Sequence, residues 1–597
     1  MKSIPVAVLA AALLLAACGS EQPPAQAPSE ASDVSAELAA LFDEFFERGL
    51  ELNPVRATAI GDYRYNDKFA NSIGPEHREA NRKMNEEFLA RLLEIDRGKL
   101  SRQDQLSYDM FKLNREVSIE GERFPGHLQP LNQFRSTPNF FVQLGSGQSL
   151  HPFKTVKHYD DWLARIDGFV IYTDQLVANM REGMQKGVVR PRILMEKVVP
   201  QLESQIVERA EDSGFYAPIT NMPEDFSEAD RARLTAAFTD AIENKLVPAY
   251  ERMSNFIGDD YLAAARASVG HYDLPDGDAW YAYNVRRITT TDLTPDEIHR
   301  IGLDEVTRIH GEMRGVMEEV GFEGDLQDFF EFMNTDDQFY FDEPEELIQG
   351  YRDMSDRITE LSKSLFDVAP KTGFEVRRIE AFREKSAAGG QYQTGTPDGS
   401  RPGIFYANAY DIKARPIWAM ESLFLHEAIP GHHFQRSLQV ENEALPGFRR
   451  FGGYTAYTEG WGLYAESLGK ELGVYTDPYQ YFGALNAELW RAIRLVVDTG
   501  LHAKQWSRQD VLDFMYANSA VKEARAVAEA ERFMAIPGQA LAYKIGQLKI
   551  REIRDNAEER LGDRFDVKEF HTQILMDGPM PLSMLEEKIS RWVDEQL

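Results

Sequence analysis

The chain has 597 residues, 97 of them acidic and 66 basic, for a formal net charge of −31. At roughly 100–200 residues per domain it has room for about three to six ordinary domains or fewer large helical ones, and its 43% apolar residues can build a substantial core. So negative a surface repels phosphate backbones and argues against a nucleic-acid partner, and 42 Gly, 28 Pro and a single Cys exclude collagen-like and disulfide-rich classes.

The first element is Met1-Lys2-Ser3 followed by an apolar run from Ile4 to Ala17. One positive charge, a short apolar stretch and small residues before the break describe a secretory signal over residues 1–17. A bilayer-spanning helix needs about 20 apolar residues, so this run is too short to span. Leu15-Ala16-Ala17-Cys18 resembles a bacterial lipobox, in which the cysteine becomes the lipid-bearing N-terminus. Residues 18–34 hold no large apolar residue except Val34 and read as a lipidated Cys18 plus a flexible tether. The expectation is an exported lipoprotein with a soluble body. Gly19 after the cysteine is compatible with the periplasmic face of the outer membrane.

From Ser35 the pattern turns helical: Leu38, Leu41, Phe42, Phe45 and Phe46 follow the spacing of one buried face. Similar patterns recur through 78–117, 155–210 and 228–267, separated by Pro and Gly clusters. Thr294-Pro295-Asp296-Glu297 is a strong helix start, with a capping threonine, a proline at the first position and a glutamate able to close a capping box; the helix is expected to run to about Val320. Strand signals are few, the best being 375–379 and Gly403-Ile404-Phe405-Tyr406-Ala407. Between them, Ala388 to Gly399 reads as a mobile loop beside a short sheet, and from about 416 onward the pattern is again helical. The expected fold is mainly α, divided into an N-terminal helical region over 35–280 and a catalytic region over 281–597 that carries the small sheet.

Residues 421–433 read ESLFLHEAIPGHH, the densest cluster of metal-capable side chains in the chain. In an H-E-x-x-H helix the two histidines share one zinc, and the adjacent glutamate activates a water at the metal. Here the second histidine comes six or seven positions after His426 rather than four. On a regular helix His432 would point away, and His433 would lie about 10.5 Å along the axis. Pro430 lacks an N–H and clashes with the carbonyl of His426, and Gly431 permits unusual dihedrals. A bulge of about two residues is therefore expected between Ile429 and Gly431, returning His432 or His433 to the metal.

The third ligand is sought in YTAYTEGWGLYAE, where Glu459 and Glu466 lie two turns apart on an otherwise apolar helix face and need partners if buried. A metal for Glu459 and a hydrogen-bonding histidine for one of the two would supply them. Asp498 and His502 are four apart on a further helix and are expected to touch. A carboxylate-oriented His502 would suit oxyanion stabilisation, and Asp498 could alternatively serve a second metal or a supporting role. Tyr543 could offer its hydroxyl to the same oxyanion.

HEAIPGHH, TEGWGLYAE, VVDTGLHAKQWS and PGQALAYKIGQLKI together resemble the bacterial family catalogued as domain of unknown function 885, with weaker matches at Asn53 to Thr58, Leu274 to Gly277 and Thr289 to Thr294. The resemblance spans roughly residues 36–596. It implies an exported lipoprotein grouped with gluzincin-type zinc metallopeptidases, whose helical relatives are similar to angiotensin-converting enzyme and the oligopeptidases. In those the motif ends in Gly-His, which carries the second ligand onto His432 and leaves His433 as the alternative. Glu459 resembles the third-ligand glutamate and Glu427 the general base. The resemblance also implies that Ile404, Phe405 and Tyr406 form an edge strand pairing with an extended substrate.

The combined expectation is a lipid-anchored peptidase with one Zn2+, held by His426, His432 and Glu459, hydrolysing short peptides with Glu427 as base and His502 and Tyr543 at the oxyanion. Two rivals stand beside it: a catalytically silent binding or envelope-assembly lipoprotein, and a hydrolase of another amide such as a peptidoglycan stem peptide. Retention of Glu427 beside His426 favours hydrolysis. Oligomeric state has no sequence signal.

Overall fold

A computed structural model describes residues 30–379, 384, 388–396 and 401–597. Cys18, the apolar run before it and residues 19–29 of the expected tether lie outside the described residues. The protein is mainly helical, with one small sheet. Among the described residues no helix is long and apolar enough to cross a membrane.

Helix α1 (Glu30–Leu52) begins five residues before Ser35, so the last part of the expected tether is helical. It buries Leu38, Leu41, Phe42 and Phe45 against Phe88 of α2 (Pro75–Glu94) and Phe111 of α3 (Arg102–Gly121). A second core, from Leu131 to Tyr261, forms around α4 (Val156–Lys186). The expected divide at 280/281 falls inside α5 (Gly277–Thr289), whose Tyr281, Val285 and Ile288 join the core of the C-terminal half. Leu106 and Met110 of α3 join it too, so apolar contacts cross that divide. Helix α6 (Pro295–Glu319) opens with the expected capping box between Thr294 and Glu297.

The sheet has strands β1 (Phe374–Arg378), β2 (Gly390–Gln393) and β3 (Gly403–Ala407), in the order β1-β3-β2. This corrects two expectations. Part of the segment read as a loop is strand β2; residues 397–400 of that segment lie outside the described residues. And β3 is no edge: it pairs in parallel with β1 and antiparallel with β2, and all five of its residues are buried. With both hydrogen-bonding sides occupied, Ile404, Phe405 and Tyr406 cannot add a substrate strand. Their continuous apolar character reflects a central strand covered on both faces.

The candidate site is built from α7 (Met420–Glu427), α8 (His432–Glu441) and α9 (Thr455–Ser467), with α10 (Pro478–Ala503) packed on α7 and α9, α11 (Glu523–Ala535) on α10, and α12 (Ala542–Leu561) along α9. Helix α10 runs against both α6 and α7, and most of its second half is buried. That places the side chains of α9 and α10 inside the protein, where a polar one requires a partner.

Candidate metal centre

The bulge expected after Glu427 is a complete break. Helix α7 ends at Glu427, and α8 starts at His432. Between them Ala428 (φ −113°, ψ −105°) and Gly431 (φ −72°, ψ −124°) turn the chain. The turn is held by the His433 N–H donating to the Ala428 carbonyl at 3.1 Å and by Trp461 Nε1 donating to the Pro430 carbonyl at 3.0 Å. A Cβ at Gly431 would lie 2.0 Å from the His426 carbonyl oxygen, so only glycine lets the chain fold back this closely.

The turn brings His426 and His432 face to edge, ring centroids 4.7 Å apart. Glu459 reaches them from α9, its Oε2 lying 3.6 Å from His426 Nε2 and 3.7 Å from His432 Nε2. The three form a group of potential ligands whose donor atoms all lie within 4.8 Å of one another. These separations are too long for hydrogen bonds. Donors around a tetrahedral zinc at about 2.0–2.1 Å stand about 3.3–3.4 Å apart, close to what is found here. Glycine again makes the room: a Cβ on Gly462 of α9 would sit 2.7–2.9 Å from the His426 ring.

The surroundings fit a cation. His426 Nδ1 faces Glu466 Oε1 at 2.7 Å, and Glu466 also accepts from Ser422 at 2.6 Å and from Arg491 at 3.2 Å. A carboxylate on Nδ1 fixes the tautomer and leaves Nε2 free as a ligand. Burial opposes charge on His426, yet Glu459 and Glu466 outweigh it and raise the imidazole to about 10. The centre thus favours a positive charge at this point, which a cation can supply in place of the proton. The His432 ring makes no hydrogen bond among the described residues; burial holds it neutral, at about 3, the form a ligand needs. Glu459 is ionised: burial pushes it up, but the charge on His426, with Arg491 beyond it, outweighs that and holds it at about 2.

Glu427 is half-buried and is no member of that ligand group. Burial, opposed by His426 and Arg491, raises it to about 7, and the backbone N–H of Tyr392 in β2 points at it. A carboxyl poised near neutrality beside a metal ligand suits proton transfer.

Other expected residues fall elsewhere. His433 turns to the sheet: its Nδ1 lies 2.9 Å from the Tyr392 hydroxyl, and its ring packs on Phe374. Glu466 hydrogen-bonds His426 and lies outside the group of His426, His432 and Glu459. The Asp498–His502 contact is absent. Asp498 accepts from the Tyr281 hydroxyl at 2.6 Å and from the Gly538 N–H at 3.0 Å, while His502 Nδ1 accepts from the His271 N–H at 3.1 Å and Nε2 faces the Phe533 carbonyl at 3.0 Å. Both ring nitrogens of the fully buried His502 are therefore engaged by backbone, leaving no donor for an oxyanion, and Asp498 stands outside the metal cluster. Their four-residue spacing reflects a packed polar seam between α10, α5 and the segment before α12. Tyr543, half-buried, lies under the Arg494 guanidinium at 4.8 Å and makes no hydrogen bond to His426, His432 or Glu459.

Sequence reasoning passed over Ser422, Tyr392 and Arg491. Ser422 lies four residues before His426, so helical spacing alone could have placed it on the same face. Tyr392 and Arg491 come from a strand and a helix remote in sequence and carry no local signal.

The chain belongs to the family described as bacterial protein of unknown function (DUF885), which matches residues 54–589. Among solved structures it is similar to one described as the "putative lipoprotein from Colwellia psychrerythraea", with 28% identity and a TM-score of 0.87 over 94% of this chain and 99% of that one. It is also similar in fold to a "putative lipoprotein of unknown function from Shewanella oneidensis", with 16% identity and a TM-score of 0.71 over 92% of this chain and 99% of that one. No match is found among curated proteins.

Proposed function

We propose that this family member is an exported, lipid-anchored zinc peptidase of gluzincin type acting on short peptides. One observation carries the reading: His426, His432 and Glu459 converge at ion-sharing distances while Glu427, next to the first ligand, stays outside the cluster with its carboxyl near neutrality. A zinc ion held by these three residues would polarise the scissile carbonyl and acidify the attacking water. Glu427 takes the proton from that water and returns it to the leaving nitrogen. Glu466 and Ser422 keep His426 oriented through these steps. The outer strand β2, whose Tyr392 N–H faces Glu427, takes over the substrate-pairing role expected of β3. The lipobox at Cys18 and the relative described as a lipoprotein support anchoring, with the periplasmic face of the outer membrane as the proposed location.

The test is cleavage of a mixed library of short peptides by the zinc-loaded protein, read by mass spectrometry beside Glu427→Gln. Cleavage by the wild type alone supports the reading. Absence of cleavage with a full equivalent of zinc bound turns the reading to another amide or to a binding role. Equal cleavage by both proteins removes Glu427 from the mechanism.

A further inference from the structure

A cavity of about 300 Å³ lies where the N-terminal helices meet the chain leading into α9. It is lined by Arg56 of the short helix Pro54–Ala59, Arg115 of α3, Arg449 of the short helix Gly447–Arg450, and Tyr454 immediately before α9. No aspartate or glutamate is among its lining residues, and none of them belongs to the metal centre. In a chain of net charge −31, three guanidiniums around one cavity without a carboxylate in its wall need a reason.

The protein's own contacts leave these groups short of counter-charge. Arg56 is solvent-exposed; its side chain makes no hydrogen bond or ion pair among the described residues, and its guanidinium lies over the Phe46 ring at 5.8 Å. Arg115 donates from Nη1 to Asn85 Oδ1 at 2.7 Å and lies over the Phe45 ring at 4.1 Å, while its Nε is buried without a partner. Arg449, 2% exposed, donates to Ser107 Oγ at 2.8 Å and to the Asp577 carbonyl at 2.6 Å, and its Nε too is buried without a partner. Asp577 is the carboxylate whose charge acts on Arg449, and Lys588 already takes it at 2.7 Å. Burial draws Arg115 down to about 10, and the charge of Arg56 adds to that effect.

The rest of the wall has the makeup of a small-molecule site, and the volume is near the lower end for one. Phe46, Met84, Met110 and Phe448 supply an apolar side. The Tyr454 hydroxyl donates to Asn114 Oδ1 at 2.9 Å, which leaves the Asn114 amide nitrogen without a partner among the described residues. Guanidinium forks pair bidentately with phosphate. A phosphate monoester carries about −1.5 to −2 charges at neutral pH and three acceptor oxygens, so it balances most of this set. A carboxylate, with a single charge, leaves most of it unbalanced. Helix α9 starts one residue after Tyr454, and its N-terminal dipole adds to the attraction for an anion.

We propose that this cavity binds a small organic phosphate, with Arg56 and Arg115 contacting the phosphate group, Arg449 adding its charge, and the apolar side taking the organic part. The segment from Asn53 to Thr58, which the metal chemistry leaves unused, contributes both Asn53 and Arg56 to the wall. Because Arg115 comes from the N-terminal helices and Arg449 from the C-terminal half, a bound phosphate also ties the two together. The inference is independent of the peptidase reading.

The test is calorimetric titration of the full-length chain, dialysed free of unbound metal, at fixed ionic strength. The probes are phenyl phosphate, inorganic phosphate, benzoate and phenol. Phenyl phosphate is expected to bind at least threefold more tightly than inorganic phosphate and at least tenfold more tightly than benzoate, and phenol not to bind. Arg56→Gln and Arg115→Gln are each expected to weaken phenyl phosphate at least fivefold, with Arg56→Lys recovering part of the loss. Arg48→Gln, an exposed change on α1 outside the cavity, is expected to leave the affinity unchanged. Should Arg115→Gln fail to fold, the exposed Arg56→Gln decides alone. No binding of phenyl phosphate, or equal affinity for benzoate, overturns the proposal. Inorganic phosphate binding as tightly as the ester overturns the assignment of an organic phosphate. Affinity that survives Arg56→Gln puts the phosphate elsewhere, and an equal loss in Arg48→Gln reduces the effect to general surface charge; either result overturns the site. Binding alone is read, so failure here leaves the peptidase reading where it stood.

Discussion

Replacing Gly462 by alanine adds one methyl group to α9 where that helix faces the first candidate ligand. The new Cβ would stand 2.7 Å from His426 Cε1 and 2.9 Å from each ring nitrogen, and restoring an ordinary contact of about 3.4 Å requires the ring to retreat by about 0.7 Å. Ligand distances in a metal site tolerate about 0.2 Å, so the retreat is several times too large. The ring is 3% exposed and tied to Glu466 at 2.7 Å, so it cannot simply rotate into solvent. Zinc affinity is expected to fall at least about 10–100-fold, as when an outer partner of a ligand is lost, or about 1.4–2.8 kcal/mol. The fold is expected to survive. Alanine in place of helical glycine contributes about 0.5–1 kcal/mol, which offsets part of the roughly 1–3 kcal/mol cost of overpacking. The assay is zinc competition against a chromophoric chelator, with thermal unfolding of the metal-free variant alongside. A folded Gly462→Ala protein with unchanged zinc affinity refutes the assignment of His426. Loss of zinc only together with loss of folding refutes the argument from local crowding.

Three further outcomes follow from the same geometry. His432→Ala is expected to abolish stoichiometric zinc binding and His433→Ala to leave it nearly intact, measured by metal analysis after dialysis; the reverse order would move the second ligand to His433. Burial raises fully buried Asp498 to about 7, above its ordinary value of 3.8, so this group lowers stability as pH rises from about 4 to about 7, by at most about 4 kcal/mol. Asparagine can keep both contacts to Oδ1, so Asp498→Asn is expected to be more stable than the wild type at pH 8 and nearly equal at pH 4, by chemical denaturation at each pH; a constant difference across that range would contradict the linkage. Gly311→Ala and Gly315→Ala lie on the exposed face of α6 with nothing within 4 Å of the added methyl, and each is expected to stabilise by about 0.5–1 kcal/mol in denaturant titration; a loss would show that this face has an unrecognised partner.

Much of the local structure was legible because its causes are local. Thr294 and Glu297 cap α6 through atoms three residues apart, and the stripe on α1 needs only the helical period. Pro430 and Gly431 announced that the helix through His426 could not continue. Where the sequence misled, the missing information was non-local. The apolar run Gly403–Ala407 is compatible with an edge or a central strand, and only the pairing of β2 on its open side decides. Asp498 and His502 have a spacing that permits contact, but each found a better partner on another element, Tyr281 and the His271 backbone.

By itself the sequence determined the mainly helical class, the caps and breaks, and His426, Glu427, one of His432 and His433, and Glu459 as metal-site candidates, because these follow from periodicity, proline sterics and donor chemistry. Tertiary structure alone decided which of two adjacent histidines joins Glu459, which strand is central, and that Tyr392 and Arg491 reach the site from remote elements. Side-chain direction across a chain break and convergence over a hundred residues depend on how helices pack, and packing is fixed by the whole core at once.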